Sequence, residues 1–177
     1  MIEQDTYWRR DLLKFGERLE KRYRQRKWSA RTLYNIEKQV FLSFYIIRKL
    51  IESGKADPGV SGFNCAIMKY PIREGAQPST DPKTFGLTYE LFRGSKTALN
   101  LKELCNQFIH SFIFSPFTPF KREMFGIYFV SDSHSKTGLY YIRLIKVIEI
   151  ILSAGRNRLI NLNLHKKADG TFRVISH

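Results

Sequence analysis

Apolar residues recur at helical spacing through the first third of the chain. Trp8, Leu12, Phe15, Leu19 and Tyr23 fall three or four positions apart, with charged residues on nearly every position between them. That is the pattern of an amphipathic helix with one apolar stripe. Asp5 and Thr6 are its expected N-caps. A second helix is expected behind Ser29, with Leu33, Ile36, Val40, Phe44, Ile47 and Ile51 on one stripe and Phe41 and Tyr45 on another. A helix this apolar belongs near the core, and Ser53-Gly54 reads as its stop. The short basic linker around Arg26 to Trp28 favours an antiparallel helical pair over residues 5–53.

The pattern changes after Ala56. Asp57-Pro58-Gly59 and the run from Pro78 to Pro82 are loop punctuation. Phe63 to Ile72 and Phe85 to Phe92 are expected strands. Leu101, Leu104, Phe108 and Phe112 then line one face of a helix expected over Leu99 to Phe114, with Pro116 and Pro119 barring its continuation. Phe125 to Val130 and Leu139 to Ile142 read as a hairpin around the polar turn Ser131 to Gly138. Leu144 to Leu152 is expected as a short buried helix ended by Ala154-Gly155. Leu159 to Leu164 and Thr171 to Ile175 flank Asp169-Gly170, a hairpin signal. The expected fold class is α+β: an N-terminal antiparallel helical pair plus further helices, packed with a small antiparallel sheet of hairpins. The length of 177 residues suits a single domain over 1–177, a basic helical hairpin at 5–53 and a mixed half at 56–177.

Charge changes this picture most. Lys and Arg number 30 against 16 Asp and Glu, a net charge of +14. Such a surplus makes polyanions the natural partners. It is concentrated in residues 9–31, where Arg9, Arg10, Lys14, Arg18, Lys21, Arg22, Arg24, Arg26, Lys27 and Arg31 face only Asp11, Glu17 and Glu20. Aromatics are interleaved with them. Lys and Arg suit phosphates and aromatic rings suit stacked bases. The expected nucleic-acid contacts are Arg18, Lys21, Arg22, Arg24, Arg26, Lys27 and Arg31, with RNA ahead of DNA.

Other classes are set aside. The longest apolar runs, such as Val40 to Ile47, fall well short of the roughly 20 residues a membrane-spanning helix needs. No membrane partner is expected. The acidic start Met-Ile-Glu-Gln-Asp does not read as a signal peptide, so a cytoplasmic location is expected. Two cysteines, Cys65 and Cys105, exclude a disulfide framework, and both sit in apolar settings that suit core residues. The four histidines are scattered without metal-ligand spacing, and the glycine-rich cofactor motifs are absent, so no metal and no cofactor are expected.

One constellation is suited to catalysis. On the helix after Leu99, Asn106 and His110 are i,i+4 neighbours on a polar face, close enough for the amide to orient the imidazole. An oriented neutral histidine is a candidate general base for a ribose 2′-hydroxyl. The order Asn-x-x-x-His, after two long helices, resembles the Arg-Asn-x-x-x-His motif of HEPN-domain proteins. Many of those are metal-independent ribonucleases in toxin–antitoxin and phage-defence systems. The resemblance would spread the family's helical bundle over 5–53 and 99–114, extending to 144–154, with His110 as base and Asn106 as its orienter. Cys105 stands where the family has the Arg that would stabilise the phosphorane charge. The turn Ser131 to Gly138, with Asp132, His134 and Lys136, is a second polar cluster that suits a phosphate or a solvated hairpin tip. A nucleic-acid-binding module, a ribonuclease and a protein-interaction subunit that pairs with a partner or a second copy through its apolar second helix all fit these residues.

Overall fold

The structure, a computed structural model, describes residues 4–25, 27–118, 126–157, 163–166 and 172–175. Its fold class is α+β. Helices α1 (Asp5–Tyr23) and α2 (Ala30–Glu52) come first, followed by a short α3 (Pro58–Ser61). Strands β1 (Asn64–Tyr70) and β2 (Ser95–Asn100) are separated by a loop that holds the one-turn helix α4 (Phe85–Thr88). Then come α5 (Leu101–Ile109), β3 (Ser111–Phe117), β4 (Gly126–Ser131), β5 (Leu139–Arg143) and α6 (Leu144–Arg156). Strands β6 (Asn163–Lys166) and β7 (Phe172–Ile175) form a separate antiparallel pair. The Asp169-Gly170 turn, residues 159–162, Thr171, Pro119 and Arg26 lie outside the described residues.

The main sheet has five strands in the order β2-β1-β5-β4-β3, every neighbour antiparallel. Its register divides the side chains into two faces. The inner face carries Cys65, Ile67, Tyr140, Ile142, Ile127 and Phe129, all buried. A column of stacked rings ties it to the helices. Phe129 of β4 lies 4.5 Å from Phe108 of α5, and Phe108 lies 4.4 Å from Phe44 of α2. The outer face carries Phe117, Gly126, Tyr128, Tyr141, Met68 and Tyr70, following the pairs Phe117↔Gly126, Tyr128↔Tyr141 and Met68↔Tyr141.

Helix α1 packs most extensively on α6 and also touches α2. Two glycines allow the close approach. A Cβ on Gly16 would come within 2.5 Å of Leu152, and one on Gly155 within 2.9 Å of Leu13. Contacts pair residue 16 with 152 and residue 9 with 154, so α1 and α6 run antiparallel. Arg9 fastens the crossing. Its guanidinium donates to the Ala154 carbonyl at the end of α6 and to the Lys55 carbonyl, and pairs with Asp5 at 2.8 Å. Arg9 is therefore a tertiary tie and not part of the solvated basic face.

Several expectations from the sequence are met. Ser29 caps α2 by accepting from the Thr32 N–H, the hairpin β4-β5 forms around the polar turn, and β1 occupies most of its expected span. Four are corrected. Gln4, not Asp5 or Thr6, precedes α1, because the Asp5 carboxylate is taken by Arg9. Phe85 to Phe92 is not a strand. Asp81 caps a helical turn at Pro82–Thr84 that continues into α4, and only Tyr89 bridges to Ile72. The helix expected over Leu99 to Phe114 ends at Ile109. A capping box of Asn100 and Glu103 starts it, His110 is its C-cap, and Ser111–Phe117 is the edge strand β3, where Pro116 is tolerated. Finally α6 runs past Ala154-Gly155 to Arg156 and closes on the left-handed Asn157, φ 52°. Gly155 is there for the approach of Leu13, not as a stop.

Candidate nucleic-acid interface

The basic residues of α1 sit where the amphipathic pattern put them. Leu12, Gly16 and Leu19 are buried against the core, and Phe15 and Tyr23 pack on it. Arg18, Lys21, Arg24, Lys27 and Arg31 are exposed, and Arg22 is half-buried. Arg24 has Glu20 at 3.7 Å. Such an exposed pair contributes little and leaves the cation available. Arg18, Lys21, Arg22, Lys27 and Arg31 form no ion pair with another described residue. The result is a helix end whose outward charge is predominantly positive, with Glu17 and Glu20 as the acids on it.

The antiparallel packing fixes where that end lies. With residue 16 beside 152, each step along α1 matches a step back along α6 at the same 1.5 Å rise. Tyr23 therefore falls level with the first turn of α6, next to Arg143 and the outer face of the sheet. There Phe117, Tyr128 and Tyr141 form a ring cluster. The centroids of Phe117 and Tyr128 are 5.5 Å apart, those of Tyr128 and Tyr141 5.1 Å, and those of Phe117 and Tyr141 6.4 Å. Tyr70 joins at 6.0 Å from Tyr128. Burial pushes the Tyr141 hydroxyl up to about 12, reinforced by the hydroxyls of Tyr128, Tyr70 and Tyr23 and opposed by Arg143. It stays a neutral phenol throughout the physiological range.

The catalytic candidates are arranged differently from the sequence expectation. The Asn106 side chain does not orient the His110 ring, and the two residues are joined only through the backbone, where the Asn106 carbonyl accepts from the His110 N–H at 3.1 Å. The Asn106 Oδ1 accepts from Arg48 Nη1 at 2.7 Å, joining α5 to α2. Arg48 also donates to Glu52 at 2.6 Å and to the Lys102 carbonyl. Hydrogen bonds from Arg48 and Lys49 hold the Glu52 carboxyl down at about 2. His110 caps α5 and is exposed, and its carbonyl accepts from the Asp132 N–H at 3.1 Å. The tertiary structure thus brings the end of α5 against the turn Ser131 to Gly138.

That turn is internally hydrogen-bonded. Gln107, buried on α5, accepts from the Ser131 N–H at 2.9 Å. Its Oε1 being so engaged, its Nε2 faces His134 Nδ1 at 3.2 Å as donor. Ser131 Oγ and Ser133 Oγ lie 3.1 and 3.0 Å from the same nitrogen. Nδ1 is then an acceptor and the imidazole proton sits on Nε2. The hydroxyls hold the turn together rather than standing open to a phosphate. The contacts of Gln107 and Arg48 are not legible in the sequence, since neither carries a local motif and their partners Ser131 and Asn106 lie 24 and 58 positions away.

Both cysteines are buried and have free thiols. Burial pushes the Cys65 thiol up to about 11 and that of Cys105 higher still, which keeps both protonated. Among the described residues no group of His, Cys, Asp and Glu could hold a metal ion, and no helix is long and apolar enough to cross a membrane. Comparison with protein-family models, with curated proteins and with solved structures finds no match to this chain.

Proposed function

We propose that this protein binds nucleic acid, RNA ahead of DNA, through the basic C-terminal half of α1 and the turn that follows it. The observation that carries the reading is the row of exposed cations Arg18, Lys21, Lys27 and Arg31 without acidic partners among the described residues, on a chain of net charge +14. Each cation that meets a phosphate releases condensed counterions, so binding should weaken steeply with salt. Half-buried aromatics beside the cations favour a partner with unpaired bases, which is the usual state of recognised RNA.

The test is fluorescence anisotropy with single-stranded RNA across a salt series. Replacing Arg18, Lys21 and Arg22 by Glu should cut affinity at low salt by about a hundredfold or more. It should also flatten the logarithmic salt slope by about two, at roughly 0.7 per lost contact for a single strand. Unchanged binding in this variant would remove α1 from the interface.

A second reading, metal-independent cleavage with His110 as general base, is supported by one contact. Cys105 occupies the position where HEPN-domain proteins have an arginine, yet the Arg48 guanidinium lies 2.7 Å from Asn106 on the same helix. The RNA recovered from the binding assay, run on a denaturing gel with chelator present, decides it. Cleavage lost in His110→Ala with binding retained would favour this reading, and intact RNA would set it aside.

A further inference from the structure

We propose that the cleft between the first half of α1 and the second half of α2 docks an acidic amphipathic helix, about three turns long, from a partner protein. This goes beyond the nucleic-acid reading and does not depend on it.

The cleft lies on the side of the helical pair that the rest of the fold leaves unused. Helix α1 turns Gly16 toward α6, and α2 turns Phe44 toward Phe108 of α5. Between their remaining faces is a groove of about 330 Å³, lined by Tyr7, Trp8 and Phe15 of α1 and by Leu42, Tyr45 and Ile46 of α2. Tyr7 is 55% exposed, Tyr45 43% and Leu42 40%. On α1 the lining residues fall within about 100° of arc at 3.6 residues per turn. On α2, Tyr34, Lys38, Leu42 and Tyr45 fall within about 80°. An apolar track along two helices is the receptor side of helix-in-groove recognition, where anchors at i, i+3 or i+4 and i+7 fill the groove.

Size favours a single helix over a second folded domain. From Tyr34 to Tyr45 the α2 stripe runs about 16 Å, the length of three helical turns. The exposed fractions of Tyr7, Trp8, Tyr34, Leu42 and Tyr45 present on the order of 400 Å². That is about half of what each of two folded partners contributes to a standard interface.

Charge selects an acidic occupant. Asp11 also lines the cleft, but Lys14 lies 3.7 Å from it. Glu52, beyond Tyr45, is held by Lys49 at 3.0 Å and Arg48 at 2.6 Å. Glu17 and Glu37 fall outside the two arcs. On the rim, Arg10 stands over the Tyr7 ring at 5.0 Å and Lys49 over the Tyr45 ring at 5.7 Å. Arg10 and Lys38 are exposed and form no ion pair with another described residue. The charge left for a partner is therefore positive. A second copy would bring the same cations and its own +14 against this rim. Residues 158–177 of the chain itself carry Arg158, Lys166, Lys167 and Arg173 against Asp169 alone, so they do not complement it either. Complementary charge then sets the encounter rate and the choice of partner, and the apolar anchors supply the affinity.

The deciding experiment selects from a displayed library of helix-forming peptides about 16 residues long, on the full chain and in parallel on Leu42→Glu. Leu42 is exposed and glutamate is a good helix former, and thermal melts confirm that the variant is folded. Peptides recovered on the wild-type chain should combine apolar anchors at helical spacing with an excess of Asp and Glu. A labelled copy of the most enriched peptide should bind Leu42→Glu about tenfold or more weakly. It should bind Lys38→Glu about threefold more weakly at low salt, a difference that disappears near 1 M salt. Trp8 is one of two tryptophans, and its emission should shift to the blue on binding, a shift that Trp8→Phe removes. No enrichment over Leu42→Glu would overturn the proposal, as would recovered peptides that are neutral or basic and indifferent to Lys38→Glu. Light scattering that shows a dimer, dissociated by Leu42→Glu, would overturn it in favour of a second copy. Loss of RNA binding in Leu42→Glu with no peptide recovered would overturn it and assign the cleft to the nucleic-acid surface.

Discussion

Glu149 is the residue most at odds with its surroundings. It lies on α6 with 2% of its surface exposed, among Ile and Val side chains. Lys146 Nζ lies 3.2 Å from Oε2 as an ion pair, and neither carboxylate oxygen has a hydrogen-bond partner among the described residues. Burial raises its carboxyl above the usual carboxylate range, and Lys146 offsets this only in part. The folded state therefore binds the proton more tightly than the unfolded chain does. This group favours folding fully below the unfolded pKa, and that contribution is lost as pH rises through the raised folded value. Glu149→Gln should accordingly be more stable than the wild type at neutral pH, with a melting-temperature advantage that shrinks on acidification. Melts from about pH 4 to about pH 8 measure it. An advantage that is absent or grows toward acid would show that Lys146 pairing outweighs burial.

At the scale of elements, the α1–α6 crossing shows how small side chains set a helix pair. Gly16 and Gly155 sit on facing sides, and Leu152 and Leu13 fill the space where their Cβ atoms would be. An alanine at residue 16 gains helix propensity, but it must displace Leu152 from a packed core. Overpacking costs typically 1–3 kcal/mol, more than the roughly 1 kcal/mol gained from propensity. Gly16→Ala should therefore lower the denaturation midpoint, whereas Gly86→Ala, with nothing within 4 Å, should leave it nearly unchanged. Chemical denaturation of the two variants checks this, and equal midpoints would mean that the helices separate without cost. The same crossing has a consequence for the candidate interface. It carries the basic end of α1 to the first turn of α6, and so to the edge of the aromatic face.

At the scale of the whole molecule, +14 on 177 residues is a self-repelling charge distribution. Exposed like charges are screened over about 8 Å at physiological ionic strength and over about 30 Å at 0.01 M. The chain should thus melt at a higher temperature in moderate salt than at low salt, in contrast to a fold held by surface ion pairs. A melting series in sodium chloride measures the sign. A bound polyanion should reproduce the stabilisation at low salt, because it binds the folded arrangement of cations. Salt would then have opposite effects on two properties of one surface, raising stability and lowering nucleic-acid affinity.

The sequence was most informative where periodicity is long. The stripes of α1 and α2, the Ser29 cap and the strands β4 and β5 were legible because alternating or helical burial leaves a repeating pattern in the side chains. The concentration of cations on α1 was legible for the same reason. Three things were not. β2, Ser95–Asn100, is a mostly exposed edge strand with no apolar alternation to read. The boundary between α5 and β3 was hidden because Phe112 continues the four-residue step of Leu104 and Phe108 although the backbone has already turned at His110. The surroundings of Asn106, His110 and His134 depend on Arg48 and Gln107, whose partners are remote in the chain. By itself the sequence determined the fold class, the basic helix and the absence of an apolar run long enough to span a bilayer, since these follow from local pattern and composition. Only the tertiary structure decided that α1 lies on α6, that Asn106 binds Arg48, and that four aromatic rings from β1, β3, β4 and β5 meet on one face. Strand register and helix crossing are set by packing between segments distant in sequence, and no local spacing encodes which distant side chain will be the neighbour.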